Sequence, residues 1–344
     1  MAYATINKPS AYFSNKLYTG NGGTQSITGV GHQPDMTWIK QRNGTPDHYL
    51  FDAVRAVRNY ITPNLTTQQQ ANVSSLTAFN SNGFTLGSTA AVNANNGTFA
   101  SWNWKANGSG SSNTAGDIAA TVSVNTTSGF SIVKWTGVSS YTRATIGHGL
   151  GKVPKMIMVK NLSNGGTDWG VYHASLGNTK NMRLNLNDAV ATSSAFWDNT
   201  SPTSTLFTTG NNAIVNGGNP CIAYCFADIQ GFSKIGSYVG NGNADGTFVY
   251  TGFKPAFVMF KKSSGTDNWR IIDNKRLGYN PNNAFLFPNI TQAESNLTRI
   301  DLVSNGFKLR TTDAGDNGNG QTYIYMAFAE APLVGTNNIP ATAR

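Results

Sequence analysis

The sequence predicts an all-β protein of three tandem β-sandwich repeats, jelly-roll-like and about 100 residues each. Three observations carry that prediction. Apolar residues fall in short runs rich in Val, Ile, Phe, Tyr and Trp, separated by Asn-Gly, Gly-Gly and Asp-Gly. Such runs suit strands, and the glycines supply the positive φ that tight turns need. Charged residues make up only 12% of the chain, about half the usual share, and Asn, Ser, Thr and Gly carry the polarity, which excludes coiled coils and helical solenoids. With 18 Phe, 13 Tyr and 7 Trp the chain can bury a large apolar area, so it is not a disordered one. The third observation is repetition of whole blocks.

Taken in order, the first repeat is 1–106. Gln33-Pro34-Asp35-Met36-Thr37-Trp38-Ile39-Lys40 reads as a strand led by a proline and closed by a lysine, Phe51–Arg58 as a helix of one or two turns, and Phe99–Ala106 as a closing strand. Residues 107–128, opening Asn107-Gly108-Ser109-Gly110-Ser111-Ser112-Asn113, read as a low-complexity linker. The second repeat, 129–230, opens with Gly129-Phe130-Ser131, and the third, 231–331, with Gly231-Phe232-Ser233. Val153–Lys160 and Lys254–Lys261 repeat the proline-led, lysine-closed strand. The intervals from Pro34 to Trp104, Pro154 to Phe226 and Pro255 to Phe328 are 70, 72 and 73 residues. Unbroken apolar runs such as Met156–Val159 and Ala256–Phe260 predict strands buried on both faces or lying across a sandwich interior. The polar ending, 332–344, is expected to form a tail.

Composition also bounds function. The net charge of +9 is scattered, with no basic run or helical basic face, so no nucleic-acid partner is expected. No apolar leader and no window approaching 18 apolar residues is present, so no membrane insertion is expected and folding in a cytoplasm is. Cys221 and Cys225 on one strand would share a face about 13 Å apart, beyond disulfide reach, and read as two reduced core thiols. Catalytic chemistry finds no support: there is no Gly-x-Ser-x-Gly elbow, the four histidines lack metal-site spacing, and Glu294 and Glu330 are the only glutamates. No enzymatic activity, metal or cofactor is expected.

One element recurs with chemical interest. Gly166-Thr167-Asp168-Trp169 matches Gly265-Thr266-Asp267-Asn268-Trp269, with Gly44-Thr45-Pro46-Asp47-His48-Tyr49 as a diverged counterpart. A carboxylate beside an exposed aromatic ring is what sugar sites use, which makes Asp47, Tyr49, Asp168, Trp169, Asp267 and Trp269 glycan-binding candidates. The competing reading is that the Asp caps a turn and the Trp begins a buried strand.

The blocks His32–Lys40, Leu50–Arg55, Ser81–Gly87 and Ser101–Ala106, with Val171-Tyr172-His173, Leu176-Gly177 and Tyr323–Glu330, resemble a family of tailed-bacteriophage virion proteins, common in marine phages and described as tail-fibre or structural proteins. The resemblance covers roughly residues 12 to 331. It implies a virion component, and neither a defined ligand nor catalytic residues. The expected partners of such a non-enzymatic component are other virion proteins and copies of itself in a homo-oligomer, and its net charge of +9 would suit a host surface polysaccharide. An appendage contacting the host surface is the first expectation. A capsid decoration protein and a carbohydrate-active depolymerase are the alternatives.

Overall fold

The computed structural model describes residues 4–334 and 342, apart from 141 and 278. It is almost all β, with 44% strand and 3% helix, and every named strand pairing is antiparallel. One four-strand order occurs three times. It is Phe13–Thr19, Thr98–Trp104, Met36–Gln41, Tyr49–Asp52; then Phe130–Thr136, Pro220–Phe226, Met156–Asn161, Trp169–His173; then Ser233–Val239, Thr322–Pro332, Phe253–Lys262, Arg270–Asp273. In each unit, here called modules 1, 2 and 3, the chain returns to insert its last strand between the first and second members. Lys40, Lys160 and Lys261 stand opposite Ala100, Ile222 and Ile324, and Met36, Met156 and Phe257 opposite Trp104, Phe226 and Phe328.

Each large sheet has two apolar faces, which accounts for the unbroken apolar runs. Along Pro220–Phe226, Cys221, Ala223 and Cys225 point into the sandwich with Val133, Ile157 and Phe207, while Ile222, Tyr224 and Phe226 point to a second core that also takes in Trp102, Trp104 and Phe328. The sandwich partner of each large sheet is a smaller one, such as Gln25–Thr28, Gly83–Leu86 and Leu76–Asn80 in module 1. Both cysteines are free and buried, and burial pushes their thiols up to about 12.

A buried asparagine ties each sandwich end together. Asn93 Nδ2 donates to the carbonyls of Gly23 and Gly87, Asn216 Nδ2 to those of Thr142 and Gly210, and Asn317 Nδ2 to those of Asn243 and Thr311. Their Oδ1 atoms accept from Asn21, Val138 and Asn241 N–H. An Asn serves here because one amide offers donors and an acceptor at once, so carbonyls that a turn would strand in the interior are satisfied.

Two expectations are overturned. The stretch 107–128 is not a structureless linker: Ser111–Asn113 and Ala120–Asn125 form a hairpin that extends the module 2 sheet from the edge of Phe130–Thr136. Ala120 and Val122 alternate inward there, and that period-two burial outweighs the Gly/Ser composition. Nor is Phe51–Arg58 a helix. Tyr49–Asp52 is strand, and Ala56 and Arg58 take positive φ, because Asp52 accepts from the backbone and guanidinium of Arg55 and folds the chain into a turn. Helix is confined to Pro9–Ala11, Ala90–Asn93 and Ser194–Trp197 among the described residues. Most of the expected tail, 335–341 and 343–344, lies outside them.

Candidate functional site at the module interfaces

The three closing strands bring one aromatic ring each to a common point. Trp104 lies 6.3 Å from Phe226 and 5.7 Å from Phe328, and Phe226 lies 5.9 Å from Phe328. Outward from that trio, three sets of hydrogen bonds link the modules in a cycle, 1 to 2, 2 to 3 and 3 to 1.

In the first set, Trp169 Nε1 of module 2 donates to Thr62 O of module 1 at 3.1 Å, Trp269 Nε1 of module 3 to Arg183 O of module 2 at 2.9 Å, and His48 Nε2 of module 1 to Phe287 O of module 3 at 2.9 Å. In the second, Tyr224 Oη donates to Asp52 at 2.6 Å, His173 Nε2 to Tyr325 O at 3.2 Å, and Trp102 Nε1 to Asp273 at 3.0 Å. The third is backbone: Gln69 N–H to Leu162 O at 2.9 Å, Val190 N–H to Ser263 O at 3.0 Å, and Glu294 N–H to Arg42 O at 2.7 Å. Equivalent positions serve at every step of the first and third sets and at two steps of the second, where His173 instead reaches Tyr325 O, one residue before the equivalent of Tyr224 and Trp102; the ring closes between module 3 and module 1 by the geometry that joins module 1 to module 2.

The chemistry at those positions differs. Interface 1 to 2 buries the Asp52–Arg55 pair, both side chains 0% exposed. Interface 3 to 1 buries Asp273–Arg276, and Glu294 bridges Arg276 to a bidentate Arg42. Interface 2 to 3 has neither charge: His173 and Leu176 occupy the places of the Asp and the Arg. Burial pushes the Asp273 carboxyl up, but Arg276 and the Trp102 N–H outweigh it and hold it below the usual range. Burial lowers His173 to about 4 and, with Lys40 nearby, His48 to about 3, so both are neutral imidazoles at pH 7. Lys40, Lys160 and Lys261 are lowered by burial to about 8. Each ammonium is spent on loop carbonyls, among them Gly44 O, Thr167 O and Gly265 O.

The glycan-binding candidates are corrected by this geometry. Trp169 and Trp269 are 0% and 1% exposed, with their indole N–H groups committed between modules, so neither presents a face on which a pyranose stacks. Asp47 and Asp168 accept from Asn64 and Asn185 Nδ2 of their own modules; in module 3 the residue so bonded to Asn289 is Asn268, not Asp267. Those asparagines in turn receive the N–H of His48, Trp169 and Trp269. Asp267 instead joins Arg270, Asp313, Asp316 and Arg299 in an ion cluster in which burial pushes Asp316 up to about 6. Tyr49 is half-buried against Tyr60 and Phe51. Asp and aromatic residues therefore recur as hairpin and interface chemistry. Among the described residues no group of three His, Cys, Asp or Glu side chains is placed to hold a metal ion.

Sequence reasoning missed the interface residues themselves. One signal was available, since Asp52-Ala53-Val54-Arg55 and Asp273-Asn274-Lys275-Arg276 share an Asp-x-x-Arg spacing at matching places in their modules. The asparagine ties carry no such local mark.

A family model described as a domain of unknown function, DUF7483, matches residues 8–332. No curated protein and no solved structure matches the chain.

Proposed function

The chain belongs to the DUF7483 family, and we propose that it is a non-enzymatic structural protein of a tailed-bacteriophage virion, an appendage or tail-fibre-type component contacting the host surface. The observation that carries this reading is the closed ring of interfaces. The His48 and His173 imidazoles, the Asp52, Asp273 and Glu294 carboxylates and the Arg42 guanidinium, the usual raw material of catalysis, hold one module to the next. The product is a body stapled by buried polar contacts and aromatic packing, with both cysteines free. Such a body suits a part assembled in a reducing cytoplasm and then exposed outside the cell. The residue-level resemblance to phage virion proteins over roughly 12 to 331 supports the same assignment, and repeated modules in an oligomer convert weak contacts into firm attachment.

A second reading, capsid decoration, is favoured by the threefold recurrence of the strand order, since a threefold body matches a local threefold axis of a shell. Cryo-electron microscopy of intact particles, with the chain located in the map and its copies counted, decides between them. Density at the tail or on projecting spikes supports the appendage; density tiling the capsid lattice selects decoration; absence of the chain from purified particles overturns both.

A further inference from the structure

The small sheet of module 3 departs from its counterparts on the face turned away from the core. Ile27, Ile146 and Val249 stand opposite Phe84, Phe207 and Phe307 on the buried side, which fixes the register between modules. The residues flanking them along the strand point outward. Those are Ser26 and Thr28 in module 1, Thr145 and Gly147 in module 2, and Phe248 and Tyr250 in module 3. Phe248 is 45% and Tyr250 54% exposed, and neither ring belongs to a core. Positions filled by small residues in two modules therefore carry two open aromatic rings in the third.

Charged groups share that face. Lys308 stands between Phe248 and Asp301 in one cross-strand row, and residues in such a row lie on one side of the sheet. Asp245 meets Lys308 Nζ at 2.7 Å and Arg310 at 3.7 Å, and Arg310 meets Asp301 at 3.3 Å. Asp245 and Arg310 are exposed. The corresponding rows hold Ser26 opposite Thr85 and Thr145 opposite Thr208, with no charge. Asp301 and Arg310, with Asn280 and Thr298, also line an open groove of about 400 Å³, within the size range of small-ligand sites.

Two cations and two carboxylates balance, which disfavours a charged partner. Half-exposed, the two rings present roughly 200 Å², well short of the about 800 Å² that each side of a stable protein interface contributes. Accessible donors and acceptors set beside small apolar rings match a ligand that alternates hydroxyls with apolar C–H faces.

We propose that this outer face of module 3 binds a short neutral oligosaccharide. The C–H faces of its sugars lie on Phe248 and Tyr250, its hydroxyls donate to Asp245 and Asp301, and Lys308 and Arg310 donate to its oxygens. The choice of a surface glycan rests on the reading of the chain as a host-contact protein.

The test is calorimetric titration of the purified full chain with β-1,4-linked tetrasaccharides of glucose, of galactose and of N-acetylglucosamine, and with tetragalacturonate as charged control. Saturable binding of a neutral tetrasaccharide, at least tenfold tighter than that of tetragalacturonate, is expected. Phe248→Ser with Tyr250→Thr installs the module 1 residues, so the chain should keep its melting temperature while binding weakens at least tenfold. Lys308→Thr, the residue that modules 1 and 2 carry there, should weaken binding several-fold, and Ser26→Ala on the matching face of module 1 should leave it unchanged. Failure of all three neutral tetrasaccharides to bind overturns the inference, as does binding that the aromatic variant leaves intact or that favours tetragalacturonate. Sedimentation of the parent and the aromatic variant covers the protein alternative: self-association that the variant abolishes, with no sugar bound, makes the face a contact between copies. Titration of the isolated chain is blind to where it sits on a particle, so its failure and the failure of the virion reading remain separate results.

Discussion

Asp273 is the residue on which closure of the ring can be tested most directly. Its carboxylate accepts from Arg276 Nε at 2.7 Å, from Trp102 Nε1 at 3.0 Å, and from the backbone N–H groups of Lys275 and Arg276 at 3.0 and 3.1 Å. Asp273→Ala strips a buried guanidinium of one of its two acidic partners and orphans an indole N–H from the neighbouring module. Removing one side of a buried pair costs about 3–5 kcal/mol, and an unsatisfied buried donor about 1–3 kcal/mol. Glu294 still holds Arg276 at 3.2 Å, so the expected loss is about 3–5 kcal/mol in all, a drop in melting temperature of about 4–7 °C. The informative comparison is Asp273→His with Arg276→Leu, which installs the module 2 residues His173 and Leu176. It removes both charges together, leaving chiefly the Trp102 N–H without its acceptor, and should cost roughly half as much. Urea unfolding followed by tryptophan fluorescence and by circular dichroism measures both. A single variant within about 1 kcal/mol of the parent, or a double variant as unstable as the single, would refute the claim that Asp273 and its partners close the ring.

Acid should unfold the chain early. Burial lowers His32 and His173 to about 4 and His48 to about 3, and also lowers His148. The unfolded chain takes protons near pH 6.5 that the folded chain refuses, so stability falls as pH drops from about 6.5 toward 4. Asp35 and Asp316, whose carboxyls burial pushes up, act in the opposite sense over part of that window. Four histidines outweigh these carboxyls and that of Asp301, which burial also raises, so the net effect is destabilising, and a melting temperature that stays flat between pH 6.5 and 4.5 would contradict it. Gly83→Ala and Gly306→Ala would each place a Cβ within 1.9 or 2.0 Å of a neighbouring carbonyl oxygen, whereas at Gly151, with φ +66°, it would meet nothing within 4 Å. The first two should cost well above 2 kcal/mol and Gly151→Ala only about 1–2 kcal/mol, by denaturant titration. Cys221 and Cys225, both 0% exposed with raised thiols, should resist a disulfide reagent until the chain unfolds; labelling of the native chain within minutes would show that the module 2 sandwich opens.

The all-β class was legible because it rests on local signals: run length, β-branched and aromatic content, and glycine at turns. The strand-closing lysines were legible as well, as three matched letters at three matched places. Their work was not, since it depends on a hairpin carbonyl four or seven residues further on that only the folded loop brings back. Composition misled at 107–128, where Gly and Ser concealed an Ala120, Val122 alternation. At Phe51–Arg58 five apolar residues mimicked a helical turn, and the Asp52 carboxylate, by capturing the Arg55 N–H, decided for a bend. The Asp and Trp recurrence was visible, and its reading as a sugar platform failed on burial. Whether a ring is exposed depends on what the next module places over it, and no window within one module contains that information.

The interfaces give a physical reason to carry three modules on one chain. In a homotrimer the three contacts are identical by symmetry, and any residue placed at one is placed at all. Here the corresponding positions hold Asp52 with Arg55, His173 with Leu176, and Asp273 with Arg276, and the adjoining positions hold Ile132 with Ala53, Ile235 with Ala174, and Asn15 with Asn274. Linkage removes the entropy of bringing three subunits together and keeps the modules at high effective concentration. Each contact is then free to diverge as long as the aromatic centre of Trp104, Phe226 and Phe328 holds. Divergence also makes the closure specific, because a module 2 edge offers no carboxylate to Trp102 and a module 3 edge offers no apolar Ala to Ile132. The buried Asn15–Asn274 hydrogen bond is confined in the same way to the interface where the third module meets the first.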